Sequence, residues 1–315
     1  MLTRIISLLP SNLRDNIRGI KRFNLFNRKY PKEQLLIYFA DGKTFHGGLT
    51  DRFKGIISLY AFCKFSGIDF RIKFTSPFLL TTLLIPNQYD WDFSENEKIS
   101  YNIWESKYMF LIGENFLNRL LNLKTNKQLH CLANRDIIPD LKQKLSVELD
   151  WGDYFKILFK PTLILRNRIN EIQFLLDNNY ISIVFRFQNL LGDFEEYGKP
   201  SLDSSSKETL IRNCLHHIEL IKSRNECNIL VTSDSEYFLH LVKDINGVFA
   251  FPEKVVHIDN SKNEKIEVHM KSFVDFFLLA EGSAIYSIGT KEMYRTEFPE
   301  YAAKLNKIKF ERILI

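Results

Sequence analysis

Short, fully apolar runs alternate along this chain with stretches in which apolar residues recur every three or four positions. The run Leu35-Leu36-Ile37-Tyr38-Phe39-Ala40 has the length and continuity of a strand buried on both faces. Strands also fit at 68–74, 106–112, 128–133, 180–187 (YISIVFRF), 228–232 (NILVT), 254–258 (KVVHI) and 284–288 (AIYSI). Helical spacing marks 52–66, where Phe53, Ile56, Ile57, Tyr60 and Ala61 line one face and Gly67 stands as the C-cap. It recurs at 114–122, 161–178, 207–224, 235–243 and 271–281, and a last helix begins near Pro299. The stretches around Tyr89-Asp90-Trp91-Asp92 and over 188–206 read as polar loops. Buried strands alternating with amphipathic helices predict an α/β protein with mostly parallel sheets. The simplest architecture is two α/β domains closing on a cleft, with 161–178 as the hinge and ligands at the carboxyl ends of the strands.

Length agrees, since 315 residues accommodate about two domains with sizeable cores. No run of 18 or more uncharged apolar residues exists, so no spanning helix is expected. The early apolar stretch from Ile5 to Leu9 is too short for a secretory signal and lacks a small-residue cleavage site. Cys63, Cys131, Cys214 and Cys227 show neither CxxC nor CxH spacing and read as reduced thiols of a cytoplasmic protein.

Charge changes the picture at one end. The net charge is +5, yet residues 1–32 hold eight cations against Asp15 alone, a balance of +7, so the remainder is slightly acidic. Leu13, Ile17 and Ile20 stand at helical spacing in that segment, with Phe23 and Phe26 beyond. Two readings stay open: a basic amphipathic anchor on the anionic inner face of the cell membrane, or a packed helix with a solvated basic face. A body that is not basic argues against nucleic acid as a partner.

Candidate chemistry begins with His46-Gly47-Gly48-Leu49-Thr50-Asp51-Arg52-Phe53-Lys54-Gly55, between the first strand and the first helix. Two glycines let the backbone approach a ligand, and the helix start offers N–H groups and a positive dipole end to an anion. His46, Asp51 and Arg52 complete the parts of a sugar or phosphate site. Asp51 also stands where an N-cap belongs, which would occupy its carboxylate. Further on, Arg186 follows an apolar strand and opens into Phe187-Gln188-Asn189-Leu190-Leu191-Gly192-Asp193. A guanidinium there suits a diphosphate; equally, it could pair with Asp193 or Glu195 to tie the loop down. Val231-Thr232-Ser233-Asp234-Ser235 ends another strand, and Ser233 or Asp234 could be simple helix caps. Asp275 lies on a largely apolar helix, where a carboxylate needs a partner: a guanine N1–H/N2–H edge, a lysine or a backbone amide. The turn Tyr294-Arg295-Thr296-Glu297-Phe298 precedes the last helix and could donate N–H groups to phosphate. Asp90-Trp91-Asp92 has the DxD form of some metal–nucleotide sites but matches many loops by chance, and His216-His217 cannot chelate from one helix. No GxxxxGK[ST] or GxGxxG motif occurs.

The order of these blocks carries more than any one of them. GGLTDRFKGIIS, IVFRFQNLLGD, VTSDS and DFFLLAEGSAIYSIGTKEMYRTEF together resemble the fucosyltransferase superfamily of GT-B fold, in short blocks over residues 34–305. That group includes α-1,2-, α-1,6- and protein O-fucosyltransferases and the bacterial nodulation enzymes. The resemblance implies two Rossmann-like domains, with parallel sheets facing an interdomain cleft. An acceptor-side domain would span 34–165 and a nucleotide-sugar-binding domain 166–315, behind the basic segment 1–33. It further implies an inverting glycosyltransferase with no metal and no cofactor besides its donor, GDP-fucose, acting on a surface glycan in polysaccharide biosynthesis. Arg186 matches the arginine of the family's HxR signature, which contacts the donor β-phosphate. The signature's histidine falls on Val184, so another nucleotide-sugar, or a catalytically silent glycan- or nucleotide-binding protein on the same fold, remains an alternative. Asn189, Ser233 and Asp234 fall among the donor contacts, Asp275 matches an aspartate near guanine, and Thr296 is the hydroxyl closest to the family's serine-rich turn. Gly47, Gly48 and Arg52 resemble the loop that faces donor and acceptor. Asp51 and His46 are the first candidates for the base that activates the acceptor, with Glu195 behind them.

Overall fold

In the computed structural model, the described residues are Ile17, 22–30, 34–93, 99–112, 115–194, 200–253, 255, 258 and 265–315. The chain divides into two compact units, Met1–Leu80 with Ile85–Lys160, and Thr81–Leu84 with Pro161–Ile315.

In chain order the first elements are β1 (Leu35–Ala40), α1 (Leu49–Ser66), β2 (Asp69–Phe74), β3 (Leu84–Pro86), β4 (Ser106–Leu111), α2 (Phe116–Leu121) and β5 (Gln128–Ala133). Then come α3 (Ile138–Leu145), α4 (Trp151–Leu158) and β6 (Phe159–Pro161). The first unit is built on a parallel sheet of order β2-β1-β5-β4, while β3 and β6 form a separate two-stranded pair. β1 and β5 are buried at every position, as strands of a parallel sheet covered on both faces must be. α1 lies so close to β5 that a Cβ on Gly55 would stand 1.9 Å from the Ala133 carbonyl oxygen, so only glycine fits there.

The second unit holds α5 (Leu163–Leu175), β7 (Tyr180–Phe185), α6 (Ser204–Lys222), β8 (Asn228–Ser233), α7 (Glu236–Val242) and β9 (Val248–Ala250). α8 (Ile266–Glu281), β10 (Ala284–Gly289), α9 (Phe298–Asn306) and β11 (Lys309–Leu314) complete it. Its sheet is parallel, in the order β11-β10-β7-β8-β9. Ile181, Ile183 and Phe185 of β7 pack with Cys214 and Ile218 of α6 and Phe238 and Leu239 of α7.

Most expected elements form, with instructive exceptions. α3 and α4 occupy a stretch in which no element is expected; α4 starts where the Asp150 carboxylate accepts the Asp153 N–H, and it buries Trp151, Tyr154, Phe155 and Leu158. The strand expected at 254–258 is not formed at 255 or 258, and the sheet's edge is instead β9; residues 254, 256 and 257 lie outside the described residues. β11 escapes sequence reading because its half-exposed KFERIL run lacks an apolar signature. The stretch 161–178 becomes α5 and belongs to the second unit. All four cysteines are free. Among the described residues no helix is long and apolar enough to cross a membrane. Asp90-Trp91-Asp92 forms a turn that buries Trp91, whose indole N–H donates to the Leu158 carbonyl at 2.6 Å.

Of the described part of the basic segment, 22–24 packs on the first unit and 25–30 is exposed. Arg22 is buried, bonds Asp41 at 2.8 Å and Thr44 at 3.2 Å, and stacks 4.9 Å over the Tyr108 ring. Burial pushes the Asp41 carboxyl up, but the Arg22 fork outweighs it and holds the group below its usual value. The other residues of 1–21, apart from Ile17, lie outside the described residues.

Beside Arg22, His130 is sandwiched between Phe39, 4.6 Å away and stacked, and the edge of Phe23 at 5.3 Å. Burial first, then the Arg22 and Lys73 cations, lower its pKa from 6.5 to about 3. The folded state thus keeps His130 neutral where the unfolded chain protonates it. Its contribution to stability is complete above 6.5 and is lost as pH falls from 6.5 towards 3. A His130→Phe protein is expected to fold and to show a flatter melting temperature across that window. An unchanged acid profile in that variant would remove His130 as the cause.

Candidate functional site

β1 delivers the chain to a loop whose shape is set by glycine. Gly47 takes φ +86°, and a Cβ there would meet the Asp51 carboxylate at 2.7 Å. Gly48, in extended conformation, is the N-cap of α1, so Asp51 does not cap; it sits in the first turn and pairs with Lys54 at 2.7 Å. Arg52 turns inward. It is buried, donates to the Gly47 carbonyl at 3.2 Å and to the Ser76 carbonyl at 2.7 Å, and lies 4.8 Å over Phe74. Its observed work is to brace the loop. His46, the other candidate for the base, is also buried, with Nε2 3.9 Å from Asp41 Oδ1. Of His46, Asp51 and Arg52, only Asp51 has substantial solvent access, at 37 % of its side chain.

In the second unit β7 and β8 run side by side, with Phe185 paired to Ser233, so the residues following them emerge together. Arg186 Nη1 lies 2.9 Å from Asp234 Oδ2, and its guanidinium sits 4.5 Å over the Phe194 ring. Asp234 also accepts the Phe187 N–H at 2.8 Å and the Gln188 N–H at 2.7 Å, a turn that Gln188 makes with φ +52°. Burial pushes the Asp234 carboxyl up, opposed by Arg186 and the two amides. The arginine side chain is 18 % exposed and the aspartate 2 %, so the guanidinium is the part of the pair that meets solvent. Asp234 thus holds both the Arg186 side chain and the backbone that follows it.

The partner foreseen for Arg186 was Asp193 or Glu195. Asp193 instead accepts the Ser235 hydroxyl and the Tyr237 N–H, both at 2.9 Å, and Ser235 caps α7; Glu195 lies outside the described residues. Ser233 accepts the Ser235 N–H at 3.1 Å, and the Asn189 carbonyl accepts the Gly192 N–H at 3.0 Å. The Tyr294 N–H donates to the Arg186 carbonyl at 3.3 Å, bringing the last polar turn to the same place. There the Thr296 hydroxyl accepts the Phe298 N–H at 3.2 Å, and its carbonyl takes the Arg312 guanidinium at 3.0 Å.

Asp275 is brought together with a different set. One turn earlier on α8, Lys271 places its ammonium 2.9 and 3.0 Å from the two Asp275 oxygens, and both side chains are buried. Burial pushes the Asp275 carboxyl up, with Lys271 pulling against it. The pair lines a cavity of about 150 Å³ with Ile172 and Arg168 of α5, Phe251 and Glu253 after β9, and Glu267, Met270 and Val274 of α8. Arg168 and Glu253 pair at 2.8 Å. Arg186, Asp234 and Thr296 do not line this cavity. Lys271 was legible as an acid–base pair four residues apart on an apolar helix; Arg168, Phe251 and Glu253 left no local signal. Arg186, Asp234, Phe251 and Glu253 all follow carboxyl ends of parallel strands, where open α/β sheets take their ligands. Among the described residues no three His, Cys, Asp or Glu side chains gather as a metal set.

Compared by sequence, the chain matches no family model and no curated protein. Compared by structure, it is similar to NodZ α-1,6-fucosyltransferase soaked with GDP-fucose, at 12 % identity and TM-score 0.55 over 87 % of this chain and 93 % of that one. The fucosyltransferase NodZ from Bradyrhizobium matches at 12 % identity and TM-score 0.55, over 86 % of this chain and 92 % of that one. A substituted Arabidopsis thaliana FUT1 in complex with GDP matches at 11 % identity and TM-score 0.57, over 97 % and 74 %. The chain therefore has the α/β fold of GT-B fucosyltransferases, with a parallel sheet in each of its two units.

Proposed function

We propose that this protein is an inverting, metal-independent glycosyltransferase that moves fucose from GDP-fucose to a surface glycan, working in the cytoplasm at the inner face of the membrane. The observation that carries the reading is the Lys271–Asp275 pair in its cavity after β9. A carboxylate accepts the N1–H and N2–H of guanine while an ammonium donates to O6; uracil sets only one N–H beside a carbonyl, and adenine has no carbonyl. The fold adds weight, since neighbours sharing it were solved with GDP and GDP-fucose.

Breaking the sugar–phosphate bond leaves charge on the β-phosphate, and Arg186, aimed by Asp234, is assigned to stabilise it electrostatically. The turn through Thr296, hydrogen-bonded to the Arg186 backbone, is assigned to the same phosphates. In the first unit, Asp51 is the accessible side chain among His46, Asp51 and Arg52 and is assigned to take the acceptor's proton. A second reading, another nucleotide-sugar as donor, is favoured by Val184, which is buried in β7 where the family has histidine. Calorimetry separates the two: GDP is expected to bind at least about tenfold more tightly than UDP or ADP. Tight UDP or ADP binding without GDP binding would reject the fucose donor.

A further inference from the structure

We infer that the amino end of the first sheet is a docking face for an anionic membrane surface, built from Leu25, Phe26, Tyr30 and Trp104 with the cations Arg28 and Lys29. These four apolar side chains are 57, 89, 70 and 62 % exposed, on segments about 75 residues apart in the chain. Their backbones are held together. The Asn24 N–H donates to the Tyr101 carbonyl at 2.8 Å, and the Ile103 N–H returns to Asn24 at 3.0 Å. The Glu105 carboxylate accepts the Lys29 N–H at 2.9 Å and the Tyr30 N–H at 3.2 Å, while Asn102 Oδ1 accepts the Trp104 N–H at 2.9 Å. Lys127 adds a cation, its ammonium 3.0 Å from the Ile103 carbonyl.

Large aromatic side chains standing in water on a tied backbone mark a surface that meets something less polar. Its chemistry favours lipid. Tryptophan and tyrosine carry an apolar body and a polar edge suited to the headgroup layer, and flanking arginine and lysine attract anionic lipid. Arg28 lies 5.9 Å over the Tyr30 ring, so cation and aromatic are presented together. Phe26 projects almost fully, as an inserting side chain does, whereas protein hot spots sit in packed pockets. Glu105, the acid of this face, is occupied by two backbone N–H groups and the Ser100 hydroxyl. The face lies at the amino ends of β1, β4 and β5, opposite the carboxyl end from which β1 leads to Gly47. It extends the membrane-anchor reading of residues 1–32 to the described surface, and it is independent of the transferase reading.

The three tryptophans make the test direct, because Trp91 and Trp151 are buried and Trp104 is not. The full-length protein is mixed with phosphatidylcholine vesicles, with and without phosphatidylglycerol. Phosphatidylglycerol vesicles are expected to shift Trp104 emission to the blue, brominated lipid to quench it, and rising salt to weaken both. Phe26→Ser and Trp104→Ser should each weaken binding by roughly tenfold or more. Arg28→Gln and Lys29→Gln should cost roughly fivefold per cation, with GDP calorimetry unchanged throughout. Vesicle binding that persists in the Phe26→Ser/Trp104→Ser protein would assign the contact to the remainder of residues 1–32 and overturn this face. Absence of binding would overturn both contacts, and a Trp104 shift that follows protein concentration instead of lipid would mean a second copy covers it.

Discussion

Replacing Arg186 with lysine is expected to lower transfer from GDP-fucose by about 10²–10³-fold while the protein remains folded. Lysine keeps the charge that compensates Asp234, so the buried carboxylate is not stranded, and the backbone bonds from Phe187 and Gln188 to Asp234 remain. What is lost is the planar fork, which binds two oxygens at once and is held rigid between Asp234 and the Phe194 ring. The fall should appear in kcat more than in KM, because the β-phosphate gains its charge as the bond to fucose breaks. Arg186→Ala is the less informative variant: it leaves Asp234 buried beside a void and is expected to lower stability by about 1–3 kcal/mol as well. Single-turnover kinetics with the lysine protein check the prediction. Turnover equal to the parent would remove Arg186 from the donor site.

Separating Lys271 from Asp275 should have the largest effect on stability. Lys271→Met removes one partner of a buried pair, for which losses of about 3–5 kcal/mol are usual. The loss should shrink in acid. Burial already pushes the Asp275 carboxyl up, and without the ammonium a proton becomes the cheapest neutralisation. A raised folded pKa means the stability is present at low pH and lost as pH rises through that value, so the variant's melting temperature should climb on acidification. The double variant Lys271→Met/Asp275→Leu replaces the pair by apolar side chains of similar bulk. It should regain stability near the parent's yet bind GDP about 10- to 100-fold more weakly. Parent-like GDP affinity in a stable double variant would reject the guanine reading and leave the Arg186 prediction standing.

These variants also divide what the chain records locally from what it does not. β1 was legible as a continuous apolar run and β7 and β8 as mainly apolar ones, the pattern that a parallel sheet covered on both faces favours. β5 is buried throughout although it carries Gln128 and His130. The body of α1 and its Gly67 C-cap were legible from helical spacing and glycine, whereas its start was read at 52 and lies at Leu49. β11 was not, since an edge strand with half-exposed residues has no such signature. Asp51 read as a cap because aspartate before an apolar helix usually is one; the backbone placed Gly48 there instead.

By itself, the sequence determined the α/β alternation, the order of the loops that follow the strands, and which polar residues those loops carry. The tertiary structure alone decided the partners. Asp193 and Asp234 are both aspartates in the loops that follow β7 and β8, yet one accepts from Ser235 and Tyr237 at the start of α7 and the other pairs with Arg186. Arg52 is buried against the Gly47 and Ser76 carbonyls, and Arg22 of the basic segment clasps Asp41. Backbone bonds between Asn24 and Tyr101 and Ile103 bring the segments of Phe26 and Trp104 together. The physical reason is range. Hydrophobic period and backbone preference act between residues a few positions apart, whereas ion pairs and burial depend on which distant segments the sheets bring within a few ångströms.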